Sequence, residues 1–120
     1  MVNVKSILGI INSSPPGSSN SHEAIEMLMV YAAFGFEVSI LLRGSAVLQL
    51  QQEQHPEVLK MKNHSALLKA LDLYDVKNLY VDEKAMAAYQ CQADENIHYE
   101  LINNMMIIDY IAQHSEVLNF

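Results

Sequence analysis

Residues 67–81, LLKALDLYDVKNLYV, leave this chain little choice of fold. Leu67, Leu68, Leu71 and Leu73 fall near helical spacing and make one apolar face. Asp72 and Asp75 bracket the exit, and Asp75 suits a turn because its carboxylate can bond nearby backbone. Leu79, Tyr80 and Val81 then resume as a short run of strand-favouring residues. The stretch reads as the end of a helix, a tight turn and a buried strand. An abrupt polar step follows, Asp82-Glu83-Lys84. In an open α/β sheet, ligand and catalytic groups gather just past the carboxyl ends of strands. Residues 81–84 are therefore the first place to look for chemistry, and no nucleophile stands there.

The rest of the chain repeats this alternation. Residues 4–11 (VKSILGII) form an apolar run predicted to be a buried first strand. Residues 12–21 (NSSPPGSSNS) carry only turn chemistry. Asn20 followed by Glu23 matches a capping box, and Ile25, Leu28, Met29 and Ala32 then share one helical face. Gly35 suits the position just past that helix. Residues 36–42 (FEVSILL) predict a second buried strand, and 43–50 (RGSAVLQL) at least one helical turn. No period is legible over 51–62, where Pro56 breaks regularity. Asn63 is a fair N-cap for a helix running through Leu73. The third strand is predicted at 78–81 and a short helix at 83–90. A polar loop over 92–96 leads to a short fourth strand at 97–99. Leu101, Met105, Ile108 and Ile111 predict a helix over 101–113, and 117–120 a terminal strand.

Strands alternating with helices imply a single α/β domain over residues 1–120. It would be a flavodoxin-like three-layer sandwich with a mostly parallel sheet of about five strands and helices on both faces. Right-handed crossovers put every strand-to-helix loop on one edge. That edge collects the 12–21 loop, the corner at residues 43–45, and 82–84.

Charge and composition then exclude several functions. The net charge is −7, with seven Lys and Arg and no run of them, which disfavours a direct grip on a phosphate backbone. No apolar run approaches the roughly 20 residues of a membrane span, and residues 1–11 lack a small-residue cleavage site. The single cysteine forbids an intrachain disulfide and fits a cytoplasmic setting. Hydrophobic residues make up 51%, high for a lone small domain, and the surplus (seven Met included) suits a subunit interface or a Met-padded core.

Each candidate site has an ordinary structural explanation beside it. Ser14 and Gly17 lie in a hydroxyl-rich loop opening onto a helix N-terminus, a place that can bind anions or a flavin phosphate. Pro15 and Pro16 remove two N–H donors, no Lys follows, and Walker spacing is absent, so a solvated loop with a helix cap explains it as well. His22 and Glu23 begin the first helix on the same edge. Ser45 and Asp82 complete the candidate anion-binding or interface edge. Cys91 is the sole candidate nucleophile, yet no Lys, Arg or His adjoins it in sequence to lower its pKa. The five His show no zinc spacing, and no cofactor or metal is implied.

With those residues in place, the chain resembles the DsrE/DsrF sulfur-relay family, and within it the TusC, or DsrF-like, branch. Val47, Gln49 and Leu50 fit a DGVFQLL-like segment. Lys69, Leu71, Leu73, Tyr74, Asp75 and Val76 fit K-x-L-G-L-Y-D-[IV]. Val117, Leu118 and Phe120 fit an ending like YDVILRF, and Glu23, Ile25 and Leu28 fit the first helix. Ser45-Ala46 replaces the usual Asp-Gly, His22 an Arg, and Asp72 a Gly. The resemblance implies a hetero-oligomer with paralogous TusB-like and TusD-like subunits, arranged as a dimer of heterotrimers. It implies persulfide transfer towards 2-thiouridine in tRNA, or a related role in sulfur oxidation. The sulfur-carrying cysteine would belong to the TusD/DsrE subunit, at positions matching about 81–82 here. This chain has none there, which implies an accessory subunit. The alternatives are a stand-alone sulfurtransferase using Cys91, or a nucleotide or flavin binder using residues 12–21.

Overall fold

In a computed structural model of the chain, residues 5–12, 20–51 and 64–120 are described. The apolar runs become five parallel strands: β1 (Ser6–Ile11), β2 (Glu37–Leu42), β3 (Asn78–Asp82), β4 (Glu100–Ile102) and β5 (Glu116–Asn119). They form one sheet in the order β4-β3-β2-β1-β5. Helices α1 (Asn20–Ala33), α2 (His64–Lys69), α3 (Glu83–Ala88) and α4 (Asn104–Gln113) join them, with 3-10 segments at Gly44–Leu50 and Leu71–Tyr74. This is the three-layer α/β sandwich the alternation predicts.

Side chains alternate across each strand and fill two cores. One holds Ile7, Ile11, Val38, Ile40, Leu42 and Val81 beneath α1, the 3-10 segments, α2 and α3. The other holds Leu8, Ile10, Leu41, Tyr80 and Ile102 beneath α4, the one described helix on that face, through Ile107 with Met106 and Tyr110. Tyr80 and Tyr110 lie with ring centroids 4.6 Å apart, so the thinner core is partly aromatic. Each fully buried aliphatic side chain contributes about 1.5–3 kcal/mol over its exposed state. Both faces of the central strands are therefore needed. Gly9 sets the approach of α1 to β1, because a Cβ there would stand 2.4 Å from the Cδ1 of Leu28.

Three expectations are corrected. The helix over 64–73 is split: α2 stops at Lys69 and a 3-10 turn follows, so Leu73 is 84% exposed and not on the apolar face. The fourth strand lies at Glu100–Ile102 and not at 97–99, which moves Leu101 from a helix into a strand. Helix α4 then starts only after Asn103, whose side chain accepts from the Met106 N–H at 3.0 Å and caps it. Its stripe of Met105, Ile108 and Ile111 faces outward, with Met105 at 77% exposure. The segment 52–63, including Pro56 and Asn63, lies outside the described residues.

A buried ion pair ties α2 to the segment before β4. Lys69 Nζ stands 2.8 Å from Asp94 Oδ2, and the Asp94 side chain is 4% exposed. Asp94 Oδ1 also accepts from the Asn96 N–H at 2.9 Å. The Lys69 contact first, then the Asn96 N–H, hold the Asp94 carboxyl below its ordinary value despite burial. A carboxyl whose folded pKa is depressed contributes stability above its unfolded value, and that stability is lost as pH falls through the folded value. Urea midpoints of the wild type should therefore drop through the acid range. Asp94→Asn should be less stable at neutral pH and flatter across that range; an equally steep acid limb in the variant contradicts the assignment.

Candidate functional site

All strands run the same way, so the ends of β1, β2 and β3 lie along one edge of the sheet. Past β2 the chain turns sharply. The Arg43 N–H donates to the Ile11 carbonyl at 2.8 Å, and Gly44 takes φ +53°. A Cβ on Gly44 would stand 2.5 Å from the Asn12 carbonyl oxygen. This corner aims Arg43 along the edge, where its Nε lies 3.5 Å from Asp82 Oδ2 at the end of β3. Asp82 is 7% exposed, and its Oδ1 accepts from the Lys84 N–H at 3.1 Å, capping α3. One carboxylate thus satisfies both a guanidinium and a helix end.

The sequence singles out Asp82, and the structure gives it Arg43 as partner. His22 and Glu23 occupy the first turn of α1 on the same edge, with His22 Nε2 2.8 Å from Glu26 Oε1. Ser45, half-buried, is the second residue of the 3-10 segment that follows Arg43. Ser14 and Gly17 lie outside the described residues. Cys91 is placed elsewhere, beyond α3, half-buried, with its Sγ–H donating to the Val47 carbonyl at 3.4 Å. Burial pushes its thiol pKa up, away from the thiolate that sulfur transfer needs.

One residue went unremarked as a site by sequence reasoning. Gln49, 4% exposed, has neither amide atom hydrogen-bonded among the described residues. Nothing short of the three-dimensional packing signals this, since Gln49 sits among apolar residues in AVLQL like an ordinary solvent-facing polar group. No group of three or more His, Cys, Asp or Glu side chains converges among the described residues. Nor does any described helix have the length and apolarity to cross a membrane.

Fold and edge together define a class: a parallel three-layer α/β sandwich, strand order β4-β3-β2-β1-β5, whose β3 end carries a helix-capping carboxylate held by arginine. The particular family follows from comparison, because the DsrE/DsrF-like family model matches residues 5–120 and the chain belongs to that family. It is similar to a TusC homolog from Vibrio parahaemolyticus, 26% identical over 112 residues, covering 92% of this chain and 95% of that protein. It is also similar to the intracellular sulfur oxidation protein DsrF from Allochromatium vinosum, 27% identical over 124 residues, covering 97% and 91%. Among solved structures, the ychN protein from E. coli shares the fold with a TM-score of 0.80 at 15% identity, covering 98% of this chain and all of that one.

Proposed function

We propose that this chain is a TusC/DsrF-like accessory subunit of a cytoplasmic sulfur-relay complex, a single DsrE/DsrF-like domain that does not itself carry the sulfur. The observation that carries this reading is the state of its only cysteine. A relay cysteine must present a thiolate to an incoming persulfide. Cys91 instead lies half-buried, bonded to a backbone carbonyl, with its pKa raised. At the end of β3, where the resemblance places the carrier's cysteine, Asp82 is already held by Arg43 and the start of α3.

The chain's part is then to pack against TusB-like and TusD-like paralogues and to shape the site around their cysteine, at the edge formed by His22, Glu23, Ser45 and Asp82. Apolar surface for that packing is present. Val30 on α1 and Phe34 in the turn just past it, Leu73 and Tyr74 on the second 3-10 turn, and Met105 and Ile108 on α4 are all exposed. The sulfur would be handed on by protein contacts towards tRNA 2-thiouridine synthesis or a related oxidation route, in keeping with a net charge of −7.

Native mass measurement of the chain, alone and co-expressed with its genomic neighbours, tests this directly. The expected product is a hetero-assembly with two paralogues which, given a persulfide donor, gains sulfur on a partner's cysteine and not on Cys91. A stable persulfide on Cys91 of the isolated chain would overturn the reading.

A further inference from the structure

We propose that the cavity at the amino end of β3 binds a free α-amino acid with an aliphatic side chain, taken up as its zwitterion. The cavity measures about 220 Å³. That exceeds the roughly 150 Å³ of an apolar protein cavity able to hold benzene. It falls below the roughly 300–1,000 Å³ of sites for drug-sized ligands. A molecule of about ten non-hydrogen atoms is therefore the right size. β3 is five residues long, so the cavity lies about 13 Å from the Arg43–Asp82 pair at the other end of the strand. The proposal thus stands apart from the relay reading.

The floor of the cavity is aliphatic. Leu68, Leu71, Val76 and Leu79 line it, and all four are buried. Such a floor accepts an apolar side chain and offers a charged group nothing. The mouth has the opposite character. Asp72 and Lys77 border it, both exposed, and neither pairs with the other or with any further described side chain. Backbone bonds hold the two charges in place. The Val76 N–H donates to the Leu71 carbonyl at 3.3 Å across the turn that carries Asp72, and the Lys77 N–H donates to the Val38 carbonyl at 2.9 Å. The Lys69–Asp94 pair, which also fixes Asn96, ties a further wall. A ligand with one charge satisfies only one side of this mouth. An α-amino acid meets both, its carboxylate towards Lys77 and its ammonium towards Asp72, with Glu100 as a further carboxylate at the rim. Two other cavities differ in this respect. One of about 230 Å³ beside Tyr31 and Phe36 also carries both signs, Lys5 and Glu116, but these lie 4.0 Å apart and spend their charge on each other. Another, of about 360 Å³ between α1 and Leu67, has Glu26 as its one charged side chain, and His22 stands 2.8 Å from it. Of these three, the cavity at β3 is the one whose opposite charges remain unspent.

Titration of the full chain with L-leucine, followed by methyl NMR and by the thermal midpoint, tests the site. The expected result is a saturable shift of the Leu68, Leu71, Val76 and Leu79 methyls with a Kd on the order of 1 mM. The midpoint should rise with leucine concentration. Two analogues remove one charge each: 4-methylpentanoate lacks the ammonium and isoamylamine lacks the carboxylate. Each should bind about fivefold more weakly than leucine, and glycine should leave the methyls unmoved. Asp72→Asn and Lys77→Gln should each weaken leucine by about fivefold. Asp72→Asn should not weaken 4-methylpentanoate, and Lys77→Gln should not weaken isoamylamine. Both positions are exposed, so either variant should fold, and an unchanged circular dichroism spectrum would verify this. The proposal is overturned if leucine moves none of the four residues, if either single-charge analogue binds as tightly as leucine, or if the shifts fall at Tyr31 and Phe36 instead.

Discussion

Gly44→Ala should destabilise the fold by about 3 kcal/mol, a large effect for one methyl group. Two costs add. Gly44 sits at φ +53°, where an L residue costs about 1–2 kcal/mol. Its Cβ would also stand 2.5 Å from the Asn12 carbonyl oxygen, and forced overpacking costs about 1–3 kcal/mol. The clash cannot be relieved by turning a side chain, because the obstacle is backbone. Asn12 is itself anchored, its N–H donating to the Phe120 carbonyl at 3.3 Å. Any shift therefore moves the ends of β1 and β5, or swings Arg43 off Asp82. Chemical denaturation of the variant measures the loss; a midpoint within error of wild type would refute the geometry of this corner.

Leu28→Ala should cost a similar amount, about 3 kcal/mol, because Leu28 is fully buried and its removal leaves a cavity between α1 and β1. Gly9 makes this prediction sharper. Alanine at position 9 in the wild type would press on the Leu28 methyls at 2.4 and 2.8 Å. In the Leu28→Ala background the same methyl group enters vacated space. The double variant should be less damaged than the sum of the singles by about 1 kcal/mol or more, as expected for residues in direct contact. Simple additivity would mean that the two positions do not share this space.

The fold was legible in the sequence where apolar runs are short and bounded by turn chemistry. β1, β2, β3 and α1 fall within two residues of expectation for that reason. Helix α4 shows why the rest was harder. Met105, Met106, Ile107 and Ile108 are consecutive, so the helix is apolar nearly all round and periodicity cannot choose its buried face. Its position is set by Asn103, whose cap ends β4 and fixes Met106, Ile107 and Tyr110 against the sheet. The break at Ala70 is tertiary too: Asp75, at φ +62°, closes a 3-10 turn that no helix propensity announces.

The candidate site was half legible. Asp82 follows from strand order alone, since the end of a parallel strand is a known address. The corner at Arg43 falls on the same edge by the same rule, but its pairing with Asp82 shows only once β2 and β3 lie side by side. For Cys91, the sequence already showed no neighbouring cation, and the fold adds its burial and its bond to Val47.

The sheet order also sets a timetable during synthesis. β1 pairs with β2, β2 with β3 and β3 with β4 as each emerges, but β1's other partner is β5, the last strand to appear. The face built by Leu8, Ile10 and Leu41 likewise waits for α4. A nascent chain halted before residue 104 would thus hold one finished layer and one bare apolar sheet face. That is a state for a chaperone to bind and for a neighbouring ribosome's product to stick to. Non-local pairing of this kind slows folding, and here the delay falls on the edge pair that β1 makes with β5.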